Sequence, residues 1–318
     1  MITYLIRRFN LLVLTGFTLI LLAFLIQTSL NGHPPDHYVY AYFKYVINIA
    51  TGNWGLSIID QQPILAKALT AFASTLELCI VAVIATVIIA VPFGLYSGLY
   101  QNSNMDYVIM ILALTTLSLP VFWIALMMIS LPNSMGFSFP IDGLISPIYD
   151  IPLVTGFTLI DSLLASDIYQ YHAFLNRLEH LILPATVLAF FFITELIRAT
   201  RHSVSMVMKS NYIKAAYSKG VGTSSIVFQH VIRNAYPSVL NQFKLQLSTI
   251  FSFTMTIEII FSSHGMGDWL LLSIKAGDYI VLPTALLIVS GFILFTSTFL
   301  DIMLVFLSPL KRMSLYVD

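Results

Sequence analysis

The chain has 318 residues, of which 58% are hydrophobic and only 9% are charged. Because a water-soluble globular protein usually carries about 25% charged residues, this composition excludes that class and predicts a protein that faces lipid. The formal net charge is zero, which gives no support for a nucleic-acid partner. Cys79 is the only cysteine, so the chain can form neither an internal disulfide framework nor a cysteine-based metal site.

Six segments are long and apolar enough to cross a hydrocarbon core of about 30 Å, which takes about 20 helical residues. They cover residues 9–30, 73–100, 107–131, 180–202, 238–262 and 281–307. The first is too long for the apolar part of a cleaved secretion signal, so we interpret it as an uncleaved membrane helix. Pro92, Pro120 and Pro184 lie inside or at the start of these spans, where membrane helices tolerate proline. The predicted fold class is all-α, a polytopic membrane protein with about six transmembrane helices.

The basic residues predict how these spans are oriented. In a six-span arrangement one side carries Arg7, Arg8, Arg198, Arg201, Lys209, Lys214, Lys219, Arg233, Lys311 and Arg312. Cytoplasmic loops carry an excess of Lys and Arg, so this side and both termini are predicted to be cytoplasmic. The other side has Lys44, Lys67, Arg177 and Lys275, together with Asp36, Asp60, Asp142, Asp150, Asp161, Asp167, Asp268 and Asp278. The short connection at residues 102–106 has no basic residue and contributes nothing to this prediction.

Two long segments lie on the predicted external side, at residues 31–72 and 132–179. The first contains a dense group of aromatic residues, namely Tyr38, Tyr40, Tyr42, Phe43 and Tyr45. Amphipathic rings favour the headgroup region, so we predict a helix lying at that level. The second contains Asp142, Asp150, Asp161 and Asp167 with Pro140, Pro147 and Pro152, and we interpret it as an ordered external excursion.

The cytoplasmic segment from Glu195 to Pro237 is patterned like helices rather than like a plain connector. Ala215, Ala216 and Gly220 are small residues that lie close together on a helical surface, because positions i and i+4 share a face. Small residues allow another backbone to approach closely, which predicts that a partner protein docks here. The alternative is that the small residues belong to a packed turn inside the subunit.

This segment resembles the permeases of ATP-binding-cassette importers, whose signature is an Ala-Ala pair followed four residues later by Gly. The segment is most similar to the dipeptide and oligopeptide branch of these permeases. The residues that carry this similarity are Tyr212, Ala215, Ala216, Lys219, Gly220, His230, Arg233, Asn234 and Ala235. Asn211 and Lys214 depart from the residues often found at their positions. Further similar stretches are residues 52–57, 75–78, 118–122, 183–184 and 258–262, followed by Gly265 and Gly267. His264 stands where the family usually has proline, which predicts a different local turn. Residues 151–161 further resemble the Sap-type peptide permease associated with antimicrobial-peptide sensitivity.

The resemblance implies the type I importer permease fold, with residues 1–72 as a first helix and external segment and 73–318 as the permease domain. It implies a coupling loop at 203–237 that contacts ATPases through Tyr212, Lys214, Ala215, Ala216, Lys219, Gly220, His230, Arg233 and Asn234. The implied partners are a second homologous permease, two cytoplasmic ATPases, an external solute-binding protein and the bacterial inner membrane. The chain has no G-x-x-x-x-G-K-[ST] sequence, so we expect no cofactor here and ATP bound only by partner subunits.

Carboxylates inside predicted spans are candidates for the solute path, because charge in hydrocarbon is costly. Glu77 and Glu258 lie near the predicted external ends of spans two and five. The alternative, which we favour, is that they lie at headgroup level, solvated or bonded to helix ends. Asp301 is expected to pair with Lys311 or Arg312.

Two other groups of side chains receive a structural interpretation. Glu195 and Arg198 are three residues apart, which predicts an ion pair on the fourth span. The histidines show no metal-ligand spacing, since His33 and His37 flank two prolines, so no metal site is predicted.

Three classes of function compete. An importer permease for peptides or similar cationic solutes is favoured by the residues around Gly220. An exporter or channel-type subunit for a small cationic solute would work without a binding protein. A membrane enzyme is disfavoured, because the spans offer Ser and Thr but few acid or base partners.

Overall fold

The computed structural model describes residues 2–30, 35–134, 136, 139–165 and 170–307, and most of these residues are helical. The α-helices are α1 Ile2–Leu30, α2 Tyr38–Ala50, α3 Ile64–Leu99, α4 Asn104–Leu117, α5 Val121–Ser134, α6 Thr158–Leu164, α7 Gln170–Met208, α8 Asn211–Ser218, α9 Thr223–Ile226, α10 Ile232–Phe261, α11 Met266–Lys275 and α12 Val281–Leu307. A π-helical turn, Val227–Val231, joins α9 to α10. The β pairing within the described residues is one isolated bridge between Leu56 and Pro63, so the predicted all-α class is confirmed.

Among the described residues four helices are long and apolar enough to cross a membrane, namely α1, α3, α7 and α12. The number rises to six if each of two bent pairs counts as one span, which agrees with the predicted number. One pair is α4 with α5, and the other is the helical run Thr223–Phe261 with α11. The helices extend beyond the predicted spans, since α3 begins at Ile64 and α7 begins at Gln170.

The third span is not the continuous helix predicted over residues 107–131. It consists of α4 and α5, whose axes differ by 96°. Pro120 causes the break, because proline has no N–H to donate and disfavours helical backbone at the preceding residue. The carbonyl of Pro120 accepts the N–H of Ile124 at 3.1 Å, so the proline starts α5. Pro92 and Pro184, in contrast, lie inside α3 and α7 without ending them.

Helices α3 and α7 run parallel and pack closely. A Cβ atom placed on Gly94 would lie 2.6 Å from the Cβ of Thr200, and one on Gly98 would lie 2.6 Å from the Cβ of Val204. These distances are too short for any residue larger than glycine. Glycines four residues apart on one helix are a common means by which membrane helices bring their backbones together. The main apolar core lies beside this contact, among buried side chains of α3, α7 and α10.

Helix α1 packs along α12, and ion pairs join both helices to α10. Asp301 of α12 accepts from Arg8 of α1 at 2.9 Å and from Lys244 of α10 at 2.7 Å. The predicted partners of Asp301, Lys311 and Arg312, lie outside the described residues. Because Asp301 is 6% exposed, two cations from distant helices offset the cost of burying its charge.

Helix α2 confirms the helix predicted from the aromatic residues of the first external segment. Tyr42 is buried and makes edge-to-face contacts with Phe17 and Phe24 of α1, with ring centroids 5.5 Å apart in each case. Tyr40 and Phe43 remain exposed. The level of α2 relative to lipid headgroups stays a prediction.

The connecting segments lie at two opposite ends of the helical body. Residues 139–165 contact the carboxyl end of α10, where the N–H of Gly143 donates to the carbonyl of Phe261 at 3.2 Å. The segment joining α7 to α10 lies at the other end, with the α3–α4 connection. This arrangement matches the two-sided distribution inferred from the sequence, and the orientation of the termini stays a prediction.

Candidate functional site

The segment predicted to be the coupling loop, residues 203–237, is helical and firmly anchored. A small apolar cluster holds it against the ends of α3 and α7, and its buried members are Val204, Ile213, Ile226, Val231 and Ala235. Ile213 of α8 is only 1% exposed, and Leu95 and Leu99 of α3 pack around the cluster. Movement of α8 would therefore be passed directly to two long helices.

Gly220 ends α8 in a Schellman motif. Its N–H donates to the carbonyl of Tyr217 at 2.9 Å, and the N–H of Val221 donates to the carbonyl of Ala216 at 3.2 Å. The motif needs a left-handed residue at this position, and Gly220 has a φ of +78°. A Cβ atom on Gly220 would meet nothing within 4 Å. Within this chain the glycine is therefore required by its backbone conformation and not by lack of space.

The two alanines of the loop have different surroundings. Ala216 is half-buried and packs against the apolar cluster, whereas Ala215 is exposed. Tyr212 and Ala215 of α8 and Lys219, the residue that caps its carboxyl end, occur at helical spacing on one side, and all three are exposed. We call these three residues the outer face of α8. Its centre is the small side chain of Ala215, which leaves the helix backbone accessible to another molecule.

A hydrogen-bond group joins α8 to the start of α10. The Nδ2 atom of Asn234 donates to the Tyr212 hydroxyl at 3.0 Å and to the carbonyl of His230 at 2.7 Å. The rings of Tyr212 and His230 lie 6.4 Å apart. The structure therefore brings together Tyr212, His230 and Asn234, which the sequence analysis had named for one role. Lys214 and Arg233 are exposed beside them.

Asp106 and Arg201 form a buried clamp at the same end of the molecule that sequence reasoning did not identify. Nε and Nη2 of Arg201 each donate to the Asp106 carboxylate at 2.7 Å, and Asp106 is 0% exposed. The backbone N–H of Asn102 and the hydroxyl of Ser97 also donate to this carboxylate. The connection at residues 102–106 has no basic residue of its own, and α7 supplies the missing cation. Nothing local in the sequence indicates this pairing, because the partners are far apart in the chain.

Glu77 is a fully partnered buried carboxylate. It is 3% exposed, and the Nε atom of Arg177 donates to its Oε1 atom at 3.0 Å. The backbone N–H groups of Thr158 and Leu159 donate at 2.8 and 3.0 Å, which places the carboxylate at the N-terminus of α6. Phe157, the N-cap residue, has no side chain that could satisfy these donors. The geometry favours the structural alternative for Glu77, a carboxylate bonded to a helix end.

Glu258 also lies at the start of a helix, α11, but its Oε1 atom is buried without a hydrogen-bond partner among the described residues. It is 1% exposed, and the N–H of Gly267 donates to its Oε2 atom at 2.7 Å. Gly265 lies so close that a Cβ atom there would be 2.2 Å from the carboxyl carbon of Glu258. His264 has a φ of +48°, which a proline ring cannot adopt because it fixes φ near about −65°. The turn seen here therefore excludes the proline expected from the family resemblance.

Asp161 organises the external segment that resembles the Sap-type permeases. It accepts hydrogen bonds from the backbone N–H groups of Val154, Thr155 and Gly156 and from the Thr155 hydroxyl. Burial alone would raise the pKa of Asp161, but these hydrogen bonds outweigh it and hold the pKa below its usual range. Asp161 is therefore part of a folded loop and not a free surface charge. Asp167, in the same predicted acidic group, lies outside the described residues.

The predicted ion pair between Glu195 and Arg198 is confirmed at 3.0 Å. The Arg198 side chain is 47% exposed, so the pair adds little stability. His33, one of the two histidines weighed as metal ligands, lies outside the described residues. Within the described part of the chain no three His, Cys, Asp or Glu side chains are grouped as metal ligands.

The family profile described as "Binding-protein-dependent transport system inner membrane component" matches residues 90–313. The chain belongs to this family. The di/tripeptide transport system permease protein DppB of Pseudomonas aeruginosa is 32% identical over 337 residues, covering 98% of this chain and 99% of the relative. The putrescine export system permease protein SapB of Escherichia coli K12 is 30% identical over 319 residues, covering 99% of both chains. The dipeptide transport system permease protein DppB of E. coli K12 is 28% identical and covers 98% of this chain.

Membership in this permease family confirms the resemblance inferred from the sequence. The matched region contains the whole segment between α7 and α10, including the outer face of α8 and Gly220. The permease family is a transport family and not an enzyme family. Its members are inner membrane components of systems that also use a binding protein, which agrees with the apolar helices of this chain.

Proposed function

We propose that this chain is one of two membrane permease subunits of an ATP-binding-cassette importer for peptides or similar cationic solutes. A second homologous permease would complete the pathway, two cytoplasmic ATPases would drive it, and an external solute-binding protein would deliver the solute. Both termini and the coupling loop would lie on the cytoplasmic side of the bacterial inner membrane. ATP would be bound by the ATPases, and this chain would need no cofactor.

The outer face of α8 is the observation that supports this proposal most directly. Tyr212, Ala215 and Lys219 are exposed on a helix whose opposite side is anchored to α3 and α7. An ATPase that closes on ATP and pulls this face would tilt both helices together, which changes access to a pathway between subunits. Peptides are proposed as the solutes because several similar proteins are named as peptide permeases.

The difference between the two alanines allows a direct test of ATPase docking. Ala215→Glu adds a charged side chain to the exposed outer face and should leave the fold of this chain intact. Ser224→Glu is the matched control, because it adds the same side chain to an exposed residue of α9 in the same loop. We expect the tagged Ala215→Glu chain to insert normally but lose co-purifying ATPases and uptake, while Ser224→Glu keeps both. Equal ATPase recovery from Ala215→Glu and wild type would reject α8 as the docking surface.

A second candidate is export of a small cationic solute. It is supported by one similar protein, which is named as a putrescine export permease. Transport assays of the reconstituted complex in both orientations distinguish the candidates. Uptake that depends on a binding protein supports the importer, whereas efflux that proceeds without one supports the exporter. Purified chain alone should show no ATP-driven transport in either direction.

A further inference from the structure

A cavity of about 360 Å³, with several polar side chains among mostly apolar walls, lies at the end of the molecule opposite the coupling loop. It is formed where the segment before α3 meets α11 and the start of α12. The residues that carry its chemistry are Ser57, Asp60, Lys67, Trp269, Ser273 and Asp278. No part of the proposed coupling surface contributes to it.

Asp278 is the unusual group in this cavity. It is only 1% exposed, and its Oδ2 atom accepts a hydrogen bond from the Ser57 hydroxyl. Its Oδ1 atom is buried and has no hydrogen-bond partner among the described residues. A buried carboxylate oxygen without a donor is costly, because the charge has lost water and gained nothing in exchange.

Lys67, the basic side chain that lines this cavity, does not pair with Asp278. Lys67 forms an ion pair with Asp60, and no basic side chain in the described ranges forms an ion pair with Asp278. Two carboxylates and one ammonium therefore line the cavity, and the carboxylate without a cation is the more deeply buried one. The site has the charge and hydrogen-bonding capacity to receive one further cation.

We propose that this cavity binds a primary ammonium group of the transported solute, with Asp278 as its counter-ion. A primary ammonium has three N–H donors, which suit the free Oδ1 atom of Asp278 and the carboxylate of Asp60 in the same cavity. Trp269 contributes an aromatic wall, a surface that attracts ammonium ions. This inference rests on the proposed function, in which the solute arrives at this end of the molecule. It adds the chemistry by which the solute is recognised.

A second cavity gives room for the remainder of a longer solute. It has a volume of about 300 Å³ and shares Lys67, Trp269 and Leu272 with the first. Its other walls include His264, Asp268 and apolar side chains of the external segment. A peptide with its ammonium at Asp278 could extend along this neighbouring space.

The test measures binding to the purified full-length chain in lipid nanodiscs, without ATPases, so that its outcome is independent of transport. The probe is the dipeptide lysyl-lysine, and the comparison is the same dipeptide acetylated on every amine. We expect saturable binding of the free dipeptide only. Asp278→Asn keeps the shape and an acceptor for Ser57, and should raise the Kd about ten-fold or more.

Two variants distinguish direct recognition of the solute by Asp278 from a general effect of negative charge and from a role of Asp278 in holding the loop. Asp142→Asn removes the same charge from an exposed residue at the same end of the molecule, outside the cavity, and should change the Kd less than about two-fold. Ser57→Ala removes the tether to Asp278 but keeps the carboxylate, so it should retain binding. Loss of binding in Ser57→Ala equal to that in Asp278→Asn would show that Asp278 only holds the loop, and would overturn the proposal.

A measurement on the unmodified chain keeps the test valid if Asp278→Asn fails to fold. A carbodiimide joins a carboxylate to an amine in contact with it, forming an amide while the reagent takes up the oxygen as a urea. With bound lysyl-lysine, mass spectrometry should find the dipeptide attached at Asp278 or Asp60. Attachment only at surface carboxylates such as Asp142, or no saturable binding by the wild-type chain, would overturn the proposal.

Discussion

At the residue scale, Gly220 shows how one backbone angle shapes the proposed docking surface. The Schellman motif satisfies the last carbonyls of α8 and directs the chain at once into α9. The glycine has open space around it within this chain, so its surroundings in the chain alone would accept a side chain. Backbone conformation and approach of a partner are thus two separate requirements that mutations can distinguish.

The first prediction compares Gly220→Val with Gly220→Asn. Valine at positive φ is strained by about 1–3 kcal/mol, so the motif should open and ATPase co-purification should fall about ten-fold. Asparagine tolerates the left-handed region and should keep most of the coupling. If both variants lose coupling, close approach of the ATPase is the main requirement. Full ATPase binding and wild-type uptake by Gly220→Val would exclude the loop as the coupling site.

The buried pair of Glu77 and Arg177 gives a second prediction at this scale. Arg177→Met would leave Glu77 as an uncompensated buried charge, which should lower the free energy of unfolding by about 3 kcal/mol or more. The exposed pair supplies the control, since Arg198→Met should cost less than about 1 kcal/mol. Thermal unfolding of the purified variants in detergent measures both. Equal melting temperatures for the two variants would mean that the Glu77 pair is not structural.

At the element scale, the parallel contact of α3 with α7 connects the two ends of the molecule. The Glu77 pair fixes these helices near the external segment, and near the coupling loop Asp106 of α4 accepts from both Arg201 of α7 and Ser97 of α3. Between these points Gly94 and Gly98 bring the backbones together. A displacement of α7 by the coupling loop would therefore move α3 with it.

The third prediction tests this helix contact. A Cβ atom at Gly94 would lie 2.9 Å from the carbonyl oxygen of Ile197, and one at Gly98 would lie 2.9 Å from the carbonyl oxygen of Arg201. Backbone cannot yield as a flexible side chain does, so Gly94→Ala or Gly98→Ala should each destabilise the chain by about 1–3 kcal/mol. Gly291→Ala in α12 is the control, because a Cβ atom there meets nothing within 4 Å. Melting temperatures that do not separate Gly94→Ala from Gly291→Ala would contradict the close packing.

At the scale of the whole molecule, two groups of polar side chains lie at opposite ends. One end holds the coupling loop and the Asp106 clamp, and the other holds the folded external segment and the cavity around Asp278. The long helices join them. In the proposed importer, ATP would act at the first end and solute would enter at the second, so function requires that the two ends face different compartments.

The fourth prediction concerns this orientation. In a Cys79→Ala background, Ser224→Cys lies in the coupling loop and Asp142→Cys at the opposite end, and both positions are exposed. An impermeant maleimide added to spheroplasts should label Asp142→Cys at once and Ser224→Cys only after permeabilisation. The reverse labelling pattern would invert the topology, and labelling of both in sealed membranes would reject a membrane-spanning arrangement between them.

The sequence by itself determined the properties that depend on composition and local pattern. Apolar length identified the membrane helices, and the small residues around Gly220 marked the loop. The turn at Pro120 could have been anticipated, because the proline was noted, but membrane helices tolerate proline and Pro92 and Pro184 do not break theirs. Whether a proline bends a helix depends on what packs against it, which a linear pattern does not contain.

Only the tertiary structure decided which charges meet. In the sequence Glu77, Arg177, Asp106 and Arg201 are isolated charges, and the fold pairs Glu77 of α3 and Asp106 of α4 with the two arginines of α7 across large separations in the chain. It likewise left one oxygen of Asp278 buried and without a donor, although the sequence placed that residue among several equivalent external aspartates. Burial and pairing are set by the three-dimensional packing of distant helices, and in a low-dielectric interior they determine what a charged side chain can do.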